Sequence, residues 1–548
     1  MLHYHFECKI PTSQFIQITL DIRPSNSGEL TLQFPAWRAG RYQIANYAEN
    51  IRGFHIVDDH GNAVTTRKIS KDAWVFRTEN KSSYSVQYEY FAGKMDAGSA
   101  WVDDEQVYIN FINCCPEVKE MPRSQVTLSY SLSNWPESIC TLPRAEQDIY
   151  RARDYQDLVD STLLAAKKLT KWNYRLDDTN FNSWIHGKIH FEKELFISRF
   201  KKFAETLIRD FGEFPEKEYH FIFQLLPYKH YHGVEHRRGT VITFGPAESL
   251  NQPEVMEELL GVSCHELYHA WNVCRIRPQE LLPYDFSKEN YTQAGLILEG
   301  ITTYMGDLYL LKSGVYDLTT YLKHAEKTLS RETAHFGWKN YTILESSFDL
   351  WLDGYTPGIP DRKVNIYTRG ALLAWSMDIL LLKQGSSLAV VMKKMWQQFG
   401  KPLLGYSLDD FESIVTHEFA DPSEIKSFFL NFIHGYEDLF PYFTLLLTNI
   451  GIEISDVYGN DILLHQCGIR TSPERIITQV HPDSKAFHVL MRNDRIVNYS
   501  IQDEIAQLAI QRHGREMIIR VPLEKPQFFP SKYLSAQSPS QLTLSWMN

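Results

Sequence analysis

The run "VSCHELYHAW", Val262 to Trp271, sets two histidines four residues apart and a glutamate directly after the first. On an α-helix, positions four apart share a face, so His265 and His269 can offer ring nitrogens to one metal ion. Glu266 is rotated by about 100° from His265. It cannot chelate beside the histidines, but it can reach a water held by the ion. Zinc lowers the pKa of such a water to about 7, and Glu266 can then take its proton. Val262, Leu267, Ala270 and Trp271 carry no charge, so the helix reads as buried, with the site at the floor of a cleft.

A catalytic zinc needs three protein ligands and an open position. Downstream, "LILEGITTYMGDLYLL" is a helical pattern around one glutamate, Glu299, which lies 30 residues after His269 (299 − 269). That distance allows a loop and a returning helix. Glu280 and Glu289 compete for the role, but "RPQELLPYDFSKENY" offers no apolar helix to hold them. Two further segments fall near the motif. "HGVEH", His232 to His236, lies between two strand-like runs just ahead of the zinc helix, and a glutamate there could meet a substrate's ammonium group. "YTRG", Tyr367 to Gly370, precedes an apolar helix, and a tyrosine at that entry could donate its hydroxyl to an oxyanion.

The surrounding chain divides by period. Residues 1–165 contain short runs rich in β-branched and aromatic residues, among them "FIQITLDI", "ELTLQF", "YSVQYEYFA" and "SQVTLSYSL", separated by turn clusters. They predict an antiparallel β-sandwich. From about 190 the period becomes helical: in "FEKELFISRFKKFAETLIRDFG", Leu195, Phe196, Phe200, Phe203, Leu207 and Phe211 recur at helix spacing. "YHFIFQLL" and "TVITFG" then read as strands, and helices follow to about 435. Residues 166–438 thus form an α+β block with its helices mostly toward the C-terminal part. Residues 439–526 return to strands: "IGIEISDVYG", "RIITQV", "RIVNYS" and "EMIIRVPL". "QDEIAQLAIQR" between the last two reads as a helix. The polar tail, 527–548, is expected to be loosely ordered apart from "LTLSW".

The 548 residues exceed what one core holds and predict several domains. A net charge of -11 without a basic run argues against nucleic acid. Seven scattered cysteines without a CxxC spacing argue against a disulfide framework or a cysteine zinc knuckle. "MLHYHFECKIPTSQF" lacks the basic and apolar pattern of a leader, and no apolar run is long enough to span a membrane. A cytoplasmic location is expected, and the sequence leaves room for a homo-oligomer.

At these residues the chain resembles the glycyl aminopeptidase family of zinc metallopeptidases, gluzincins with a C-terminal PDZ-like domain. "HELYHAWNVCRIRP" is similar to the family's HExxHxWNVKRIRP, with Cys274 in place of lysine. "EGITTYMGDL" is similar to EGFTSYYxDL, with Met305 in place of tyrosine. "FPAWRAGRYQIANYA" resembles PxWxPGxYxxxxYA, and "ARDYQDLVDS" resembles YDELVDSP, with Thr162 in place of proline. The resemblance implies a thermolysin-like catalytic domain at 166–438 and a PDZ-like domain at 439–526. It implies one zinc ion per chain on His265, His269 and Glu299, with Glu266 as general base. By wider analogy to aminopeptidase N, "GVEH" stands where GxMEN lies. Gly233 and Glu235 would then bind the substrate, with Glu235 on its free α-amino group. "YTRG" stands where YxKG lies, giving Tyr367 as oxyanion donor and Arg369 as a charge-conserving replacement for lysine. The implied activity is removal of small N-terminal residues, glycine or alanine, from peptides with a free N-terminus. An endopeptidase and a catalytically silent peptide binder on the same scaffold are the alternatives. In the C-terminal domain Asn493 stands where a PDZ glycine is expected, and no clear carboxylate-binding loop is seen.

Overall fold

The computed structural model describes residues 2–79, 82–355 and 358–548. The N-terminal part is β-rich, as its sequence predicts, but it holds three sheets rather than the two of a simple sandwich. A seven-stranded sheet is built around Leu2–Glu7, and a four-stranded sheet contains Gly28–Gln33 and Ala73–Thr78. Leu2–Glu7 runs antiparallel to Phe15–Ile22 and parallel to Val126–Ser131, so the pairing is not purely antiparallel.

A second four-stranded sheet contains Gln106–Asn110 and Thr162–Ala166. Every residue of these two strands is buried, the mark of a sheet covered on both faces. One face, through Val107, Ile109, Leu163 and Ala165, joins the main core. The other, through Tyr108, Leu164 and Ala166, packs on Ile222, Val234 and Val241 of the next sheet. This layer is why the N-terminal part cannot close as an independent two-sheet sandwich: its third sheet is shared with the domain that follows.

That next sheet has five strands: β1 (Thr170–Leu176), β2 (Thr179–His186), β3 (Glu218–Leu225), β4 (His230–His236) and β5 (Gly239–Gly245). Their order is β1-β2-β3-β5-β4, with β4 antiparallel at the edge. Helix α1 (Lys193–Phe211) connects the parallel pair β2 and β3. It buries Phe196, Phe200, Phe203, Leu207 and Phe211 as the periodicity predicts, whereas Leu195 is 52% exposed at the first turn. After β5 come α2 (Pro253–Tyr268), α3 (Ile301–Lys312) and α4 (Thr368–Lys383). Among the described residues no helix is long and apolar enough to cross a membrane.

The C-terminal part departs twice from expectation. The stretch expected to be helical is strand β8. It lies in a meander of β7 (Arg495–Gln502), β8 (Ile505–Arg512) and β9 (Arg515–Pro522), which follows strand β6 (Ile452–Val457) in the chain. Ala506, Leu508 and Ile510 are buried at a spacing of two, so the strand pattern prevails over helix propensity. Asp503 and Glu504, both with positive φ, make the two-residue turn that fixes the hairpin. The tail is also ordered. Strand β10 (Ser531–Ala536) pairs with β6, and Val457 stands opposite Ser531. The module between them has its own small core around Cys467, Ile477 and Leu508. Helix α5 (Gln541–Met547) then returns to pack on α3 and α4. There Trp546, 1% exposed, stacks on Trp375 at 5.6 Å and donates to the Tyr304 hydroxyl at 2.9 Å. All seven cysteines are buried and unpaired.

Candidate metal centre and active site

Helix α2 carries His265 in its last turn, and His269 caps its C-terminal end in helical conformation. Glu299 sits in a π-helical turn, Leu296–Gly300, that runs directly into α3. Two glycines let this segment approach. A side chain at Gly300 would collide with the backbone carbonyl carbon of Gly370 on α4, 2.8 Å away, and one at Gly306 would press on the His265 backbone at 3.1 Å. Asn272 ties the two ligand segments together. Its carbonyl accepts from His269 Nδ1 at 2.7 Å, and its amide donates to the Ile297 carbonyl at 2.7 Å and to the Thr302 hydroxyl at 3.0 Å. With Nδ1 donating, His269 turns the lone pair of Nε2 inward.

The result is a compact triangle. His265 Nε2 and His269 Nε2 are 3.1 Å apart, and they lie 3.6 and 3.5 Å from Glu299 Oε2. Zn–N and Zn–O bonds of about 2 Å at tetrahedral angles set ligand atoms roughly 3.3 Å apart, so the spacing fits zinc. Charge agrees. Oxygens of Glu235, Glu266 and Glu299 are buried without a hydrogen-bond partner among the described residues, an arrangement that calls for a cation. Burial alone would raise the Glu299 carboxyl, but the histidines beside it hold it down to about 2. Burial would lower the His269 imidazolium, yet Glu299, Glu235 and Glu266 together raise it to about 10. The site draws a positive charge to His269, and metal binding would displace that proton. Glu280 and Glu289 stand outside this cluster, and Glu280 instead accepts from the Thr292 hydroxyl at 2.7 Å.

Glu266 leaves α2 on the flank that faces β4. Burial, helped by Glu235 and Glu299 and opposed by His269, pushes its carboxyl up to about 8. It rests against Gly233: a Cβ there would lie 2.8 Å from Glu266 Cδ. The "HGVEH" segment is thus part of an edge strand laid against α2, and Glu235 is only 8% exposed. Glu235, Glu266 and His269 bring ligand-type atoms within 4.8 Å of one another. Glu235 also packs against Gly40 of the N-terminal part, where a Cβ would lie 2.7 Å from its carboxyl carbon.

Tyr367 stands at the entry of α4, and its hydroxyl makes no hydrogen bond among the described residues. Burial, with Glu299, Tyr355 and Glu235 near, raises its pKa well above 10, so it stays a neutral donor. Arg369 is not part of the site: it is buried, donates to the Glu437 carbonyl at 3.2 Å and lies 4.0 Å from Glu332. The sequence reading missed three residues that the fold brings near. Tyr355 accepts from the Tyr42 backbone at 3.1 Å, with its ring 6.3 Å from that of Tyr367. Arg38 donates to His232 Nε2 at 3.3 Å. Arg38 and Tyr42 lie in "FPAWRAGRYQIANYA", the segment whose pattern already stood out, but nothing in its spacing says that it meets the site.

The model of the peptidase M61 N-terminal domain matches residues 3–167, and that of the M61 glycyl aminopeptidase matches residues 258–373. No curated protein matches the chain. A crystal structure of an aminopeptidase N family protein from Idiomarina loihiensis is similar over 100% of both chains, with 24% identity and a TM-score of 0.90. A mutant M1 zinc metallopeptidase from Deinococcus radiodurans, bound to a Tyr-Ser-Ala substrate, is similar over 80% of this chain and 94% of its own, with 12% identity and a TM-score of 0.50. The two family models match in chain order, the second spanning both the HELYH helix and the EGITTY segment, and the chain belongs to the M61 family of peptidases.

Proposed function

We propose that this M61 peptidase is a zinc-dependent aminopeptidase, with one zinc ion per chain held by His265, His269 and Glu299. When bound, zinc supplies a Lewis acid that polarises the scissile carbonyl and acidifies water. The chain's own groups do the rest. Glu266 takes the proton of the attacking water and hands it to the leaving amine. Tyr367 donates its hydroxyl to the developing oxyanion. Gly233 leaves the space that Glu266 occupies, and Glu235 pairs with the substrate's free α-ammonium. The family resemblance adds glycine or alanine as preferred first residues and a PDZ-like identity for the module at 439–526.

The observation that favours an aminopeptidase over an endopeptidase is Glu235. It is a buried carboxylate beside the metal ligands with an oxygen lacking any partner among the described residues. A free ammonium would satisfy that oxygen, and an acylated amine would not. A charge-assisted pair is worth about 1.5–3 kcal/mol, or roughly 10- to 100-fold in discrimination. Zinc-loaded protein should therefore cleave free glycyl or alanyl substrates that much faster than their N-acetyl forms. Glu235→Ala should lose most of the difference while keeping its zinc. Equal rates on free and acetylated substrates in the unmutated protein would replace this reading with an endopeptidase.

A further inference from the structure

Glu235 belongs to two neighbourhoods. One is the metal centre. The other is a cavity of about 230 Å³ between the N-terminal part and the five-stranded sheet, which no zinc ligand lines. Its polar wall is of mixed charge: it includes Arg38 and Arg277, the carboxylates Asp154, Asp157, Asp160 and Glu235, and the polar Asn110 and His236.

Hydrogen bonding within this wall is incomplete. Asn110 is fully buried, and neither its amide nitrogen nor its oxygen has a partner among the described residues. His236 Nε2 and Glu235 Oε1 are in the same state. Arg277 lies over the Tyr284 ring at 4.1 Å and donates only to the carbonyls of Val273 and Cys274. Arg38 donates to the Ala39 carbonyl and to His232. Each guanidinium has five N–H groups, so both retain donors. No carboxylate lies within ion-pair distance of either among the described residues, although Glu235 and Asp96 attract the Arg38 charge through space. An apolar occupant would leave the Asn110 amide, His236 Nε2 and the spare guanidinium donors desolvated and unpaired, at about 1–3 kcal/mol each.

If the substrate's ammonium sits on Glu235, its α-carbon lies about 4 Å from that carboxylate, one short hydrogen bond plus one covalent bond away. The first side chain then starts at the cavity wall. We propose that this cavity receives the side chain of the substrate's first residue. It takes a carboxylate or carboxamide side chain, as in glutamate, glutamine, aspartate or asparagine, with Arg38, Arg277 and Asn110 as hydrogen-bond partners. Glycine and alanine would leave the cavity to water. The proposal rests on the aminopeptidase reading and widens its substrate class beyond small residues.

The test is a panel of glycyl, alanyl, leucyl, glutaminyl and glutamyl p-nitroanilides with the zinc-loaded full chain. Leucine and glutamine are close in size, so their comparison isolates polarity. The expected result is a kcat/KM for glutamine or glutamate about tenfold or more above leucine. Arg277→Met should lower the glutamate-to-leucine ratio by roughly 10- to 100-fold. Cleavage of alanyl substrate with leucine equal to or better than both polar residues overturns the proposal and leaves the aminopeptidase standing. An unchanged ratio in Arg277→Met overturns it as well. Turnover of none of the five removes both readings. The panel on the unmutated protein decides the matter even where the variant does not fold.

Discussion

Gly233→Ala tests the geometry of the site more sharply than removal of a ligand does. The new Cβ would fall 2.8 Å from Glu266 Cδ and 2.9 Å from its Cγ, well inside van der Waals contact. A carboxyl group is the flexible end of its side chain, so Glu266 yields rather than the strand, and stability should change by less than about 1 kcal/mol. The zinc ligands are untouched, so zinc content should stay at the parent level. A displacement of about 1 Å in a reacting group costs on the order of 10²-fold, within the roughly 10²–10⁴-fold that a general base contributes. We therefore expect kcat on alanyl p-nitroanilide to fall about 10²-fold. If Gly233 acts only through Glu266, adding Gly233→Ala to Glu266→Gln should cost nothing further. Steady-state kinetics, elemental zinc analysis and urea unfolding read the three quantities. A kcat within about threefold of the parent, or a full additional loss in the Glu266→Gln background, would refute the reasoning.

Tyr367→Phe should lower kcat by about 10²-fold with little change in KM, and a rise in KM alone would place its hydroxyl in ground-state binding. Trp546→Ala removes a tryptophan that is 1% exposed and should cost about 3–5 kcal/mol by denaturant unfolding. Asp157 makes ion pairs with Arg153 at 3.0 Å and Arg238 at 2.9 Å. Burial would raise its carboxyl, but Arg238 and Arg153 hold it well below the usual carboxylate range. A depressed folded pKa gives stability that is present above the unfolded value of about 3.9 and lost as pH falls through the folded one. Unfolding free energy should therefore decline below about pH 4, and Asp157→Asn, weaker at neutral pH, should show a shallower decline. Parallel acid limbs would remove Asp157 from the account.

What the sequence disclosed depends on how local each signal is. His265, His269 and Glu266 are set by one helix period, and Glu299 by a single glutamate in a strongly apolar helix, so their meeting in one cluster was readable. Phe196 to Phe211 were readable for the same reason. Ala506, Leu508 and Ile510 were misassigned because "IAQLAI" satisfies both periods over so short a run, and only the Asp503–Glu504 turn decides. Glu235 was singled out, but its strand was not recognised, since an edge strand beside a helix has no clean alternation. Arg38 and Gly40 reach His232 and Glu235 across about 195 residues of chain, which no spacing rule encodes. The Gly300–Gly370 contact is of that kind too: two small residues look interchangeable with any others until two backbones meet. The tail was taken as loose because its polarity was visible, whereas the ladder partner that orders it lies some 80 residues earlier in β6.

The pairing of β6 with β10 has an engineering consequence. Val457 and Ser531 face each other, so the points where the chain leaves and re-enters are only about 5 Å apart, the spacing of neighbouring strands. A two-residue turn can bridge that gap. Residues between them therefore behave as a cassette plugged into a hairpin: removable, or exchangeable for another domain with adjacent ends, while Trp546 still reaches its place on Trp375. Beyond the two crossings, Gln479 donates to the Ala334 carbonyl at 2.7 Å and the His481 ring lies 4.7 Å from that of Phe336. The cassette is therefore docked on the peptidase and cannot swing as a domain on a single linker would.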